Sequence, residues 1–325
     1  MIKKINIYNY LFLKKEKNNE FKKYFFNKFL KIFIILISLI IDFIILKKNK
    51  INIKICLCTL GKLENKYARE FVEYYKNYGI NKIFIYDNND INGETFETVL
   101  SDYIKKDFVK IINYRGKFAP QLKMLNNCYK TNYKKYDWFI MFDMDEFIYL
   151  KRYSNIKLFL INKKFNKCKI IHLNRAFHTD NGQIYYKNIS LIKRFPLAEH
   201  NVRTVKPIIR GHIKNMVISN QHTGTSKFTS CNGFGKIKVK IPDFKYYYIK
   251  HFFSKSTEEF IDKINRGNIY VLNTNKEKLN KIKYYFISNK ITLEKIKYME
   301  NGTGINLDII RKKLNKLKNY NKKYL

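Results

Sequence analysis

Between residues 53 and 142, short apolar runs alternate with stretches of helical spacing, and this alternation restricts the fold more than any other feature of the chain. Residues 53–60 read as a first buried strand. Residues 64–78 carry Tyr67, Phe71, Val72 and Tyr75 at helical spacing, and Gly79 stands where a helix ends. Ile83-Phe84-Ile85-Tyr86 is a second strand, closed by the polar turn Asp87-Asn88-Asn89-Asp90. A helix over 96–103, a strand over 109–114 and a helix over 121–133 follow. A fourth strand, 137–142, runs directly into Asp143-Met144-Asp145-Glu146. Strands and helices in strict alternation predict a parallel, right-handed α/β sheet. Ligands of such sheets bind beyond the carboxyl ends of the strands. Asp87 and the Asp143 cluster both fall at that edge.

After residue 150 the pattern loosens. Strands are expected near 169–173, 206–209 and 246–249, and a helix over 257–266 after Ser256. The expected organisation is a basic N-terminal segment with a hydrophobic helix (1–50), a main α/β domain (51–275) and a basic helical C-terminal tail (276–325). No internal repeat or Pro/Gly/Ser linker is present. The apolar run near 29–46 is interrupted by Asp42 and is short of the roughly 20 residues that span a bilayer. Lysines flank it and can snorkel, so it is read as a weak signal anchor or a monotopic interfacial helix. Membrane association is the expected localisation.

The chain has 65 basic and 26 acidic residues, a net charge of +39. The basic residues are scattered, and Lys, Asn, Ile, Tyr and Phe, all encoded by AT-rich codons, are abundant. The charge is therefore read as codon bias that also draws the surface toward anionic lipid. No helix-turn-helix, zinc finger or RNP-like segment points to a specific nucleic acid. The cysteines Cys56, Cys58, Cys128, Cys168 and Cys231 are odd in number and sparse, and they are expected as small buried apolar residues rather than disulfides or metal ligands.

In a chain so poor in acid, three carboxylates within four residues at a strand end require a positive partner. Mg²⁺ and Mn²⁺ take oxygen ligands, with one or two carboxylates and substrate phosphates completing the shell. An Asp-x-Asp pair on an extended segment directs both side chains to one side. A cation held there neutralises a diphosphate leaving group.

Four ordered segments carry a resemblance to a known family: Ile83 to Asn89; Trp138-Phe139-Ile140-Met141-Phe142-Asp143-Met144-Asp145-Glu146-Phe147; Lys206-Pro207-Ile208-Ile209; and His251-Phe252-Phe253-Ser254-Lys255-Ser256 followed by Glu258-Glu259-Phe260 and Lys263. Over residues 53–267 the chain resembles the GT-A glycosyltransferases of families 2 and 92. The resemblance implies a GT-A fold, with a Rossmann-like, mostly parallel sheet flanked by helices, a nucleotide-sugar donor and a Mn²⁺ or Mg²⁺ ion. It implies that Asp87 contacts the nucleoside, that Asp143 and Asp145 form the metal-binding pair, and that Glu146 lies beside the sugar or stabilises the turn. His251 would be a late metal or diphosphate ligand, with Lys255 and Ser256 near the phosphates.

The expected reaction is transfer of a hexose, from a uridine diphosphate sugar, to a hydroxyl of a glycan or glycolipid. No catalytic base is assigned. Glu199 and Asp243 lie downstream outside any matching motif, and the resemblance favours inversion. Two rivals stand beside this reading. A haloacid-dehalogenase-type phosphohydrolase also places an acidic pair after a strand, but needs Thr or Val where Phe147 stands. A basic nucleic-acid- or membrane-binding protein would explain the charge but not the acidic cluster.

Overall fold

A computed structural model describes residues 52–117, 120–199, 204–237, 242–266, 275–290, 292–308 and 310–312. The apolar run near 29–46 lies outside them, and no helix among the described residues is long and apolar enough to cross a membrane.

The first half forms as its spacing dictates. β1 (Ile55–Gly61), α1 (Asn65–Asn77), β2 (Lys82–Asp87), α2 (Phe96–Lys105), β3 (Val109–Asn113), α3 (Gln121–Asn132) and β4 (Trp138–Met141) follow in order. β3, β2, β1 and β4 lie side by side and parallel. Alternation along each strand decides which layer it feeds. Ile55, Leu57, Ile83, Ile85, Trp138 and Ile140 pack on one face under α1 and α2. Cys56, Cys58, Phe84, Tyr86, Phe139 and Met141 pack on the other under α3. Each large side chain so buried contributes roughly 1.5–3 kcal/mol.

The second half continues the same sheet with mixed pairing. Its elements are β5 (Glu146–Leu150), α4 (Ile156–Leu160), β6 (Ile170–His178), α5 (Leu191–Arg194), β7 (Ala198–Glu199), β8 (Val205–Arg210), β9 (Ser230–Asn232) and β10 (Tyr247–His251). The strand path is β3-β2-β1-β4-β8-β6-β10-β5, with β7 and β9 pairing onto β6. β8 runs antiparallel to β4, and β10 antiparallel to β5. The expected strands near 169–173, 206–209 and 246–249 are β6, β8 and β10. β5 was hidden in sequence because it begins inside the acidic cluster itself.

Beyond these come α6 (Thr257–Asn265), α7 (Asn275–Ser288) and α8 (Leu293–Thr303). Phe260, Ile261 and Ile264 of α6 form one apolar cluster with Ile282, Tyr285, Phe286, Ile296 and Met299. A buried polar knot reinforces it. Lys295 reaches Asp180 at 2.6 Å, Tyr285 donates to the same carboxylate at 2.5 Å, and Asn289 bonds Ser254. Basic as they are, the helices after residue 275 present this apolar stripe to α6.

The cysteine expectation is corrected. Cys58 on β1 is bonded to Cys128 on α3, and Cys168 to Cys231 on β9, with Cα separations of 6.4 and 5.7 Å. Cys56 is the free thiol among the described residues. The pairs lie 70 and 63 residues apart in sequence, so only the fold brings them together. Peptide mapping of unreduced protein is therefore expected to recover both linked pairs. Replacing Cys168 and Cys231 together by Ser should lower unfolding stability by about 2–4 kcal/mol in denaturant melts.

Candidate active site

The acidic turn is built from below. Gly61 ends β1 where an added Cβ would strike Phe96 and the Met144 sulfur, at 2.3 and 2.7 Å, so only glycine lets Met144 seat in the core. Met144 is buried, and the flanking aspartates face a cavity of about 220 Å³ that is also lined by Lys62, Glu64, Gln121, Arg175, His251, Lys263 and Arg266. The middle residue anchors the turn and its neighbours present their carboxylates.

Glu146 closes the turn. It is fully buried, and its Oε2 accepts the Asp143 backbone N–H at 3.0 Å. Arg175 lies 3.1 Å from Oε1 and Lys206 3.3 Å from Oε2. Lys206 also stands 2.6 Å from Asp143 Oδ2, while Gln121 donates to Oδ1 at 2.8 Å. Burial pushes the Asp143 carboxyl up, but the charge and hydrogen bond of Lys206, together with His251, hold the group below the usual range. Lys206 is itself raised, because Asp143 and Glu146 overcome its burial.

Asp145 is held from the other side. Lys263 of α6 stands 2.8 Å from Oδ2, and His251 Nε2 lies 3.4 Å from Oδ1. Burial raises this carboxyl, yet Lys263 and then His251 bring it well below the ordinary value. His251 ends β10 opposite Glu146, packed against Phe177. Burial pushes its imidazole down more than Asp145 lifts it, leaving the neutral, ligand-competent form. Its buried Nδ1 has no hydrogen-bond partner among the described residues.

The remaining expected residues occupy the surroundings. The Asp87 carboxylate, 2% exposed, accepts from Arg115 and from Asn89. Arg115 goes on to bond the carbonyls of Asp90, Ile91 and Glu94. Asp87 thus fixes the loop after β2. Lys255 is buried, with its ammonium 3.1 Å from Glu64 and 3.6 Å from the centre of the Tyr67 ring. Ser256 caps α6 in a reciprocal capping box with Glu259. Asp243 caps the turn before β10, accepting from the backbone of Lys245, Tyr246 and Tyr247. Glu64 is paired with both Lys255 and Arg266. Among the described residues, then, each acid lining the cavity already has a cationic partner.

Sequence reasoning gave little or no weight to Arg175, Gln121, Glu64, Lys263 and Arg266. In a chain of +39, no single cation is conspicuous. The capping box of Ser256 and Glu259, by contrast, is legible from its spacing.

No three His, Cys, Asp or Glu side chains among the described residues group closely enough to hold a metal alone. The donor set nonetheless suits a hard divalent cation whose shell is completed by phosphates. Asp145 is anionic, His251 is neutral beside it with a polar atom unsatisfied, and Asp143 faces the same cavity.

The sequence matches glycosyltransferase family 92 over residues 51–303, and the chain belongs to that family. It is a glycosyltransferase. That membership separates it from the phosphohydrolase and nucleic-acid-binding readings. No curated protein matches it. Among solved structures it is similar to Staphylococcus aureus TarS, at 11% identity and a TM-score of 0.35, covering 77% of this chain and 48% of that one, about half its length. TarS 1–349 in complex with UDP-GlcNAc gives 13% identity and a TM-score of 0.37, over 77% of this chain and 79% of that one. The mannosyltransferase PcManGT from Pyrobaculum calidifontis in complex with GDP-Man and Mn²⁺ gives 8% and 0.31, over 77% and 73%.

Glu259 anchors the helix that carries Lys263. It receives bonds from Arg194, Ser256 and Tyr67, and although burial raises its carboxyl, those bonds bring it to about 2. Its folded value is depressed, so its stabilisation is complete above the ordinary value near 4.5 and is lost as pH falls through about 2. Glu259→Gln is expected to cost roughly 3 kcal/mol at pH 7. In urea melts the gap to the wild type should close between pH 4.5 and 2.

Proposed function

We infer that this glycosyltransferase moves a hexose from a nucleotide sugar, a uridine diphosphate sugar in our reading, to a hydroxyl of a glycan or glycolipid, with a divalent cation at the acidic pair. The observation that carries this reading is the meeting of Asp143, Asp145 and His251 with Arg175, Lys263 and Arg266 around one cavity. Carboxylates and cations around one cavity suit a ligand that is itself an anion with a bound metal.

Asp145, His251 and Asp143 would hold Mn²⁺ or Mg²⁺, which supplies Lewis-acid stabilisation of the leaving diphosphate. The protein's own part is positional. Glu146 and Lys206 keep the turn rigid, so the carboxylates need no reorganisation when the donor arrives. Lys263 and Arg266 face the charge that grows on the departing phosphates. Asp87 sets the loop after β2 through Arg115 and so shapes the nucleoside end. Lys255 and Ser256 support this wall through Glu64 and the α6 cap.

We also place the enzyme at a membrane surface, on the strength of the apolar run near 29–46 and the charge of +39. The two disulfides suit a compartment that keeps thiols oxidised.

The test uses the full chain with a panel of nucleotide sugars, with Mn²⁺ or a chelator, beside Asp145→Ala. One donor should release its nucleoside diphosphate. The rate should fall at least 100-fold in the variant and to background with chelator. Turnover that is indifferent to both would contradict the assignment.

A further inference from the structure

The two lysines that neutralise the acidic pair are not equivalent. The Lys206 side chain is 1% exposed, and its ammonium sits between Asp143 and Glu146, so it is a permanent part of the turn. The Lys263 side chain is 23% exposed. Its ammonium contacts Asp145 at 2.8 Å and the Phe253 carbonyl at 3.3 Å, and stands 4.4 Å from the centre of the Phe253 ring. It faces the cavity of Asp143, Asp145 and His251 and also a neighbouring one of about 480 Å³. Arg266, three residues on, faces the same two.

The helix beneath Lys263 is fixed. The capping box holds the start of α6, the buried Arg194–Glu259 pair clamps its first turn, and Phe260 and Ile264 sit in the C-terminal cluster. Movement here falls to the long Lys263 side chain, a flexible stem with a compact charge. An ammonium and a divalent cation on one carboxylate repel each other, so the two compete for Asp145. A diphosphate entering the cavity offers the ammonium a new acceptor on the same side.

We propose that Lys263 is a displaceable counter-ion of the acidic pair: it neutralises Asp145 in the empty enzyme and passes to the diphosphate when donor and metal bind, beside Arg266. Lys263 then binds the diphosphate in the loaded enzyme, and between turnovers it holds Asp145 in place and weakens metal binding until the phosphates are present. The proposal rests on the donor-site reading above.

It predicts effects of opposite sign from one substitution. In the full chain, Lys263→Met should bind Mn²⁺ about tenfold more tightly without nucleotide, read by the loss of the free-ion paramagnetic signal. The same variant should bind uridine diphosphate with Mn²⁺ about tenfold more weakly by calorimetry. Lys263→Gln should behave alike, and Lys263→Arg should recover diphosphate binding. Thermal melts establish that each variant is folded. Unchanged or weaker Mn²⁺ binding in the folded variants overturns the proposal while leaving the donor site in place, provided the wild type binds uridine diphosphate. A wild type that binds neither Mn²⁺ nor uridine diphosphate overturns the donor-site reading itself, and the proposal with it.

Discussion

The site depends on the fully buried carboxylate of Glu146. One oxygen accepts the Asp143 backbone N–H and closes the turn, while Arg175 and Lys206 neutralise the charge. A carboxylate buried in this way is tolerable only when it is paired and hydrogen-bonded, and removing one partner leaves the rest exposed to the full cost. Two cations reach it from different strands of the second half, Arg175 on β6 and Lys206 on β8. The turn from β4 into β5 supplies the acids, and β6 and β8 supply the counter-charges. Neither half makes the site alone.

A second layer of the same logic comes from α6. Lys263 meets Asp145, and Arg266, which follows the last residue of α6, meets Glu64, so two acids of the cavity are paired by cations from one end of that helix. That helix is itself placed by Ser256, Glu259 and Arg194 on one side and by α7 and α8 on the other. The basic C-terminal helices support the helix that carries Lys263, and the buried Lys295–Asp180 pair ties them to the segment after β6.

Much of this was legible in the sequence, and the reasons are physical. The first four strands and three helices show because their periods of 2 and 3.6 differ and each is bounded by a polar turn. Asp143 and Asp145 show because charge at the end of a buried strand is costly. Glu146 belonged to the same cluster, and its role in the turn was one of two implied for it. Arg175 does not stand out, since a buried cation looks like any other in a chain with 65 of them, and Lys206 shows only as the first residue of a segment that carries the resemblance. The disulfides were missed because each joins elements more than sixty residues apart. Lys255 and Ser256 were grouped with the phosphates by their motif. The structure sets Lys255 against Glu64 and Tyr67, and gives Ser256 the helix cap that its spacing from Glu259 already spelled out.

The central claim is that one cavity, between Asp145 and α6, takes the donor's diphosphate and its cation. The most direct measurement is a crystal structure of the full chain grown with Mn²⁺ and uridine diphosphate, with the metal located by its anomalous scattering. The account predicts a manganese peak bound by Asp145, in contact with both phosphates, with His251 beside it and Arg266 on the diphosphate. An ordered diphosphate in another part of the molecule, or a manganese peak remote from Asp145, would contradict it.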